Sequence, residues 1–218
     1  MSKLSISSVT CPQCQHQQDF EIWESVNADH DPELRDRLLS RDLFKFTCDS
    51  CGNIADVVYP VLYHDMAKNY MILFTSDGQR MESFPPFFEN FMSRYNFRTV
   101  SSVNQLVEKV LLLTTDFDER IVEIFKMVME QQMEKEGDGE LLFGGMVSEE
   151  AGDEVLKFVW VADEGNETYS VPLSQFRDFE DFTRSDISFT PITQGEWLTI
   201  DREYVLELMD AAAKEDSD

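Results

Sequence analysis

Basic residues are scarce in this sequence, and their scarcity limits what the protein can bind. Lysine and arginine together number 18, against 43 aspartates and glutamates, and the formal net charge is −25. Nucleic acids are bound through Lys and Arg that replace phosphate counterions, and anionic membrane surfaces attract the same side chains. The charge therefore argues against nucleic acid and against membranes as partners. The imbalance is also local, since residues 1–60 carry ten acidic side chains and five basic ones, namely Lys3, Arg35, Arg37, Arg41 and Lys45.

Long apolar runs are also missing. No stretch approaches the ~20 apolar residues of a membrane-spanning helix. The first residues, "MSKLSISSVT", contain one lysine and no apolar core of signal-peptide length. We therefore expect a cytoplasmic protein, in which cysteines serve as metal ligands more often than they form disulfides.

The apolar residues that are present predict a folded protein. Hydrophobic residues make up 42% of the 218 residues and aromatic residues 12%, which is enough for a buried core. The segment "KEGDGE" interrupts the periodic patterns with acidic residues and glycines. We place a domain boundary there, between a first domain of residues 1–136 and a C-terminal α+β region of residues 140–218.

The patterns around the cysteines predict strands with a helix between them. Residues 15–26 alternate as a strand does, and "LFKFTC" predicts a second strand. The segment "DHDPELRDRLLSR" predicts a helix, with Asp31 as N-cap and Pro32 at its first position.

Further elements follow along the chain. Two strands are predicted in "IADVVYPVLY" and "KNYMILFTS", with "HDMAK" as the turn that joins them. Capping residues and apolar faces predict helices in "FPPFFENFMSRYNF", "SSVNQLVEKVLLL", "TTDFDERIVEIFKMVMEQQMEKE" and "DREYVLELMDAAAK". The C-terminal region predicts strands in "EVLKFVWVAD", "ETYSVPL", "SDISFTPI" and "EWLTI". In "DFEDFTRSD" and just before it, helical spacing predicts that Phe176, Phe179 and Phe182 turn inward.

The four cysteines form two Cys-x-x-Cys pairs, Cys11 with Cys14 and Cys48 with Cys51. Each pair can form a tight turn with two converging thiolates, and two such turns supply the four tetrahedral ligands of a structural zinc ion. Gly52 follows the second pair and allows the backbone to turn there. The spacer between the pairs exceeds that of compact zinc sites, and the predicted strand, helix and strand account for its length. The pattern therefore predicts a structural Zn²⁺ site.

Other uses of the cysteines are less favoured by the sequence. A redox dithiol of the Cys-Pro-x-Cys type needs a helix that starts at its first cysteine, whereas the residues after Cys14 alternate as a strand does. Iron also binds four thiolates, so the ligands alone do not exclude it. Disulfides need an oxidising compartment. A catalytic zinc keeps one position open for water, whereas four cysteines close the shell.

Several segments together resemble the CpXC domain family of bacterial and archaeal proteins. They are "CPQC", the "CDSCG" that follows a helix beginning "DPELRDRLL", "YPVLYHDM", "RTVSSVNQLVEKV" and "DERIVEIFK". The resemblance extends over roughly residues 6–130. It implies a paired-cysteine, zinc-ribbon-like region and brings no established activity with it.

The stretch "YHDM" offers a second chemistry. An aspartate beside His64 could tune it as a general base, and Asp65 is its neighbour in the predicted turn. In turns, however, such residues commonly satisfy backbone groups. No serine or cysteine nucleophile has a recognisable setting.

We therefore predict an α+β protein in which a zinc-ribbon-like antiparallel sheet with an inserted helix precedes further helices and a smaller strand-rich C-terminal part. The predicted function is a non-enzymatic, zinc-stabilised binding or adaptor module with a protein partner. Two alternatives stay open, a hydrolase-like enzyme that uses His64 and Asp65, and a thiol-based metal or redox sensor.

Overall fold

The structure, a computed structural model, describes residues 1–76, 93–133, 138–149 and 152–215. These residues form five helices and three sheets, so the α+β class is confirmed. In chain order, the elements are β1 (Lys3–Thr10), β2 (Gln17–Asn27), α1 (Pro32–Leu39), β3 (Lys45–Thr47), β4 (Ile54–Asp56), β5 (Val61–Asp65), β6 (Tyr70–Phe74), β7 (Asn96–Val100), α2 (Val103–Leu112), α3 (Glu119–Met133), β8 (Glu140–Ser148), β9 (Glu154–Ala162), β10 (Gly165–Pro172), α4 (Leu173–Asp186), β11 (Trp197–Leu198) and α5 (Arg202–Glu215). None of the described helices is long and apolar enough to span a membrane.

The chain divides into two compact units. The first unit consists of Met1–Val107 and Thr193–Leu198, and the second unit consists of Glu108–Ile192 and Thr199–Asp218. The division falls within α2, so α3 belongs to the same unit as the C-terminal strands. The domain boundary that the sequence placed between residues 136 and 140 stays a prediction.

The first unit is built on a six-stranded sheet with the order β1-β2-β5-β6-β7-β11. β1 pairs with β2 and β5 with β6 in antiparallel fashion, whereas β2–β5, β6–β7 and β7–β11 are parallel. The sheet is therefore mixed, where the sequence predicted an antiparallel one. Because α1 and the separate antiparallel pair β3–β4 intervene, the chain returns from β2 to enter β5 in the parallel direction.

The strands near the cysteines follow the predicted pattern, with one exception. β2 and β3 lie where alternation predicted them, and α1 lies between them in the chain. The predicted single strand "IADVVYPVLY" is instead two strands, β4 and β5, separated by a segment that contains Pro60. A proline has no N–H to donate to a strand ladder, which explains the break.

Two predicted helices of the middle region can be compared with the structure. α2 is confirmed, and the N–H of Gln105 donates to Ser102 Oγ at 3.1 Å, as its cap requires. Most of the predicted helix "FPPFFENFMSRYNF" lies outside the described residues. Its last two residues, Asn96 and Phe97, begin β7, so the helix prediction is wrong there.

The second unit is built on the antiparallel sheet β10-β9-β8, and its core is aromatic. Phe125 packs against Phe158 and Phe176 with ring centroids 5.4 and 5.3 Å apart. Phe176 is buried and Phe179 partly so, but Phe182 is 67% exposed, and its predicted inward orientation is wrong. The predicted strand "SDISFTPI" is also wrong, because Asp186 still ends α4 and no strand follows before β11 among the described residues.

Candidate metal centre

The four cysteines lie in the turns of two hairpins. Cys11 and Cys14 lie between β1 and β2, and Cys48 and Cys51 lie between β3 and β4. Both hairpins belong to the first unit. The spacing of each pair therefore coincides with a tight reversal of the chain, as the sequence predicted.

The backbone of the two turns is the same. The N–H of Cys11 donates to the carbonyl of His16 at 2.8 Å, and the N–H of Cys48 donates to that of Asn53 at 2.8 Å. Four residues after the first cysteine, Gln15 N donates to Cys11 O at 3.0 Å, and Gly52 N donates to Cys48 O at 2.8 Å.

The residue after each second cysteine adopts a left-handed backbone. Gly52 has φ = 71° and Gln15 has φ = 62°. The sequence showed the need for such a conformation only at Gly52, because a glycine marks it there. At the equivalent position of the first turn, glutamine accepts the strain of this region.

The turns bring all four sulfur atoms to one place. Each Sγ lies within 4.8 Å of the other three. Two contacts join the pairs, one of 3.7 Å between Cys11 Sγ and Cys51 Sγ and one of 3.6 Å between Cys14 Sγ and Cys48 Sγ. All four cysteines are free, so no disulfide competes for the sulfurs.

These distances fit a four-thiolate metal site. In a regular tetrahedron with Zn–S bonds of about 2.3 Å, neighbouring sulfurs are about 3.8 Å apart. The contacts of 3.6 and 3.7 Å are close to this value, and the set of donors is complete without a further residue. Cys11, Cys14, Cys48 and Cys51 could therefore hold one metal ion.

The site is buried on one side only. Cys11 and Cys48 are buried, whereas Cys14 and Cys51 are exposed. The buried pair packs with Phe46 in an apolar cluster whose partly buried members are Val9, Phe20, Ala55 and Val57. Thus the first cysteine of each turn lies in the apolar cluster and the second faces solvent.

Gln18 connects the two hairpins beside the sulfurs. Its side-chain N–H₂ donates to the carbonyl of Thr47 at 3.0 Å, and its oxygen accepts the N–H of Asp49 at 2.8 Å. The side-chain amide of Gln18 therefore hydrogen-bonds to the backbone on both sides of Cys48. No sequence pattern indicates this role, because alternation along the strand predicts a solvent-facing glutamine.

The pKa values of two of the thiols move in opposite directions. A backbone hydrogen bond from Cys14 lowers the pKa of Cys11 to about 7, although burial opposes it. At Cys51, a backbone hydrogen bond from Asn53 lowers the pKa, but hydrogen bonds with the other thiols and burial outweigh it and raise the pKa to about 12. Cys11 therefore ionises more readily than Cys51, and a metal ligand must lose its proton to bind.

His64 and Asp65 are the last two residues of β5 and not turn residues, so the predicted placement in a turn is wrong. Successive side chains of a strand point to opposite faces, so the structure does not join them into a pair. Asp65 Oδ1 accepts the N–H of Lys68 at 2.9 Å and closes the turn that follows.

His64 has different partners, which the sequence did not reveal. Its Nε2 lies 3.1 Å from the Tyr95 hydroxyl, and its Nδ1 lies 3.5 Å from the Asn27 side-chain nitrogen. Burial lowers the pKa of His64, which favours the neutral ring. Both partners are distant in sequence and lie close to His64 only because β5 pairs with β2 and β6 with β7.

The fold and the cysteine geometry together define a mixed α+β protein with a paired-cysteine site that could hold one metal ion. Within this class, the chain belongs to the CpXC protein family, whose model matches residues 9–126. The matched region contains all four cysteines and confirms the resemblance seen in the sequence. No curated protein and no solved structure matches the chain.

Proposed function

We propose that the protein is a zinc-binding, non-enzymatic adaptor of the cytoplasm that presents a binding surface to another protein. The observation that carries the proposal is the closed set of four sulfur donors within 4.8 Å of one another. A site with four protein ligands leaves no position for a reactive water, so its role is structural.

Zinc is the metal that fits this set best. Thiolate ligands favour zinc or iron over hard cations, and tetrahedral four-sulfur sites hold either of them. The two equivalent turns, each closing a hairpin, support a zinc-ribbon-like arrangement in which α1 is inserted between the halves. On this reading Zn²⁺ supplies a cross-link between two hairpins.

The β3–β4 hairpin has reason to need such a cross-link. Each of its strands has three residues, and a two-stranded hairpin of this size is not stable by itself in water. Metal binding to a site that forms only in the folded chain contributes its free energy to folding. A metal-stabilised hairpin can then hold its part of the surface in one conformation.

Metal analysis of the purified full chain tests the metal. We expect about one zinc per chain, and we expect Cys48→Ser to abolish it, while the exposed Ser50→Ala in the same turn retains it. Stoichiometric iron in place of zinc would show that the site holds iron and not the zinc proposed here. A metal-free chain in which Cys48→Ser is as stable as the wild type would overturn the proposal.

Affinity purification from the native host tests the adaptor role. The intact chain should retain a specific protein, and the double variant Cys48→Ser/Cys51→Ser should lose it. Ser50→Ala is the matched control, because it changes the same turn and leaves the four sulfurs in place. Retention of the same protein by the double variant would contradict a metal-dependent surface.

A thiol-based sensor is the second candidate, and the exposure of Cys14 and Cys51 favours it. Exposed thiolates are accessible to oxidants, and their oxidation would release the metal. Reversible zinc loss under mild peroxide would support this function, whereas retention of zinc would argue against it. The hydrolase alternative has no comparable support, because Asp65 closes a turn and does not contact His64.

A further inference from the structure

Among the described residues, no strand pairs with the outer edge of β1. β1 is the first strand of the six-stranded sheet, and within the described chain its only strand partner is β2. Its eight residues are exposed except for Ser5 and Val9, which are half-buried. An edge of this kind presents backbone N–H and C=O groups that can pair with another strand.

Little on β1 opposes such pairing. Proteins protect exposed edges with charges, prolines or bulges. Here the charge of Lys3 and the register shift between Lys3 and Leu4 both lie at the start of the strand. The seven residues Leu4–Thr10 contain no charged residue and no proline.

One face of this edge carries two exposed apolar side chains, and exposed acids lie beside it on β2. Leu4 is 43% exposed and Ile6 is 57% exposed, and alternation puts them on the same face. In the neighbouring strand, Glu21 lies opposite Ile6 and Asp19 lies opposite Ser8, and both acids are exposed. Glu21 also lies 4.0 Å from Arg37 in an exposed ion pair, which a partner's Lys or Arg would share or displace. We call the open edge of β1 together with these side chains the β1 edge surface.

We propose that the β1 edge surface binds an extended segment of a partner protein that carries Lys or Arg at alternate positions and adds to the sheet as a further strand. This inference rests on the adaptor function proposed above and names the partner chemistry. Backbone hydrogen bonds would supply much of the affinity, and the alternate side chains would supply the specificity.

The charges select this partner over a second copy of the chain. Two copies would each bring a formal charge of −25 and the same pair of acids to the interface. A basic segment carries the opposite charge, so these acids attract it. A strand beside β1 lies about 10 Å from β2, which is two strand spacings and within the joint reach of a Lys and a Glu side chain.

We expect a metal held by the four cysteines to stabilise the same surface. The turn that contains Cys11 and Cys14 joins β1 to β2, and Cys11 donates its N–H to His16 across that turn. Loss of the metal would loosen the hairpin whose edge is used. Peptide binding should therefore depend on the four cysteines, although none of them contacts the peptide.

Fluorescence anisotropy with a labelled heptapeptide of alternating Lys and Val tests the proposal on the full-length zinc-loaded chain. Two further peptides carry backbone N-methyl groups on all Lys or on all Val residues, which blocks one or the other edge of the strand. We expect binding to the parent peptide and to one methylated peptide, and loss of binding to the other. Equal binding of both methylated peptides would overturn strand addition, since charge alone would then explain the affinity.

Variants locate the site. Leu4→Lys and Ile6→Lys should each weaken peptide binding by about tenfold or more, because they put a like charge on the edge. Leu206→Lys is the matched control, because Leu206 is 45% exposed on α5 and the change in charge is the same. Equal weakening by the control would overturn the assignment to β1.

The failure of this inference is distinguishable from that of the adaptor function. Absence of peptide binding, or a stable dimer of the chain that Ile6→Lys dissociates, would overturn the inference about the β1 edge surface. In either case, metal-dependent capture of a protein from the host would still support the adaptor. If the Ile6→Lys variant still captures the same host protein, that protein binds outside the β1 edge surface, and this result would also overturn the inference.

Discussion

At the scale of residues, Gln15 and Gly52 occupy equivalent positions in the two cysteine turns. Both have a left-handed backbone, and the turns share the same hydrogen bonds. A side chain in this region costs about 1–2 kcal/mol, which glycine avoids. The first turn therefore carries a strain that the second does not.

We predict that Gln15→Gly stabilises the protein by about 1 kcal/mol and that Gly52→Gln destabilises it by about 1–2 kcal/mol. Apart from Gly52 and its two neighbours in the chain, no described residue has an atom within 4 Å of a Cβ added there, so the cost is that of the backbone and not of a clash. The free energy of unfolding of the zinc-loaded chain, measured in urea, checks both values. A loss of stability in Gln15→Gly would show that the glutamine side chain contributes more than its backbone costs.

A second residue-scale prediction concerns His64, the histidine whose pKa is lowered by burial. In the unfolded chain its pKa returns to about 6.5, so the unfolded state binds the proton more readily. Its contribution to stability is therefore complete above pH 6.5 and decreases as pH falls below that value.

Urea unfolding at pH 7.5 and pH 5.5 checks this prediction. His64→Gln should show a smaller loss of stability between the two pH values than the wild type. His16→Gln is a poor control because of the nearby cysteines, and His30→Gln is another because His30 acts electrostatically on His64, so the wild type is the reference. An equal pH dependence in His64→Gln and in the wild type would contradict the prediction.

The sequence predicted the residues whose role depends on local spacing. The Cys-x-x-Cys pairs fix two turns within a few residues, so Cys11 and Cys48 were predictable. Gln18 and Tyr95 were not, because their partners are about 30 residues away and become neighbours only in the sheet. Asp31 is an intermediate case, since it is at the N-cap of α1 as predicted but its carboxylate accepts the N–H of Ser2.

At the scale of elements, α2 and α3 contain a buried network of charges in the second unit. Lys126 Nζ lies 2.9 Å from Glu108 and 3.0 Å from Glu123, and these side chains are at least nine-tenths buried. Glu108 also accepts the N–H of Phe143 at 2.6 Å, which ties β8 to the network. Each of these charged side chains is paired with one of opposite sign. Removal of one member would therefore leave a buried charge that lacks this partner.

We predict that Lys126→Met destabilises the protein by about 3 kcal/mol or more, because Glu108 and Glu123 lose their common cation. Arg202→Met is the control, since Arg202 forms an exposed ion pair with Glu130 and should cost about 1 kcal/mol or less. Thermal and urea unfolding measure both variants. A similar loss of stability in the two variants would mean that the buried charge network does not contribute more to stability than an exposed ion pair does.

The pattern of apolar residues predicted α3 as a buried helix, and Ile121, Val122 and Phe125 are indeed buried. It could not predict that charged residues of the same helix are buried too, because periodicity treats every charge as solvent-facing. The exposed Phe182 is the opposite error. In both cases the elements packed against the helix determine which of its side chains are buried. The sequence of the helix alone does not show which elements those are.

At the scale of the whole molecule, we predict that removal of the metal affects regions of the chain unequally. The hydrogen bonds of the two cysteine hairpins should open when a strong chelator withdraws the ion, since the ion supplies part of their folding free energy. Amide hydrogen exchange should rise in residues 3–27 and 45–56. It should change least in residues 154–172, which form β9 and β10.

The control for this experiment is Cys48→Ser, which should show the same faster exchange without chelator. An unchanged exchange pattern in both samples would mean that the hairpins do not depend on a metal. A uniform increase along the whole chain would mean instead that the two compact units unfold together.

One strand of the first sheet comes from a part of the chain that is distant in sequence. β7 ends at Val100, whereas β11 begins at Trp197, and the two pair in parallel with Trp197 opposite Phe97. The chain must therefore be synthesised as far as Leu198 before this sheet receives its last strand. Until then, β7 has an open side during synthesis, and a chain interrupted before residue 197 would keep that side open to aggregation.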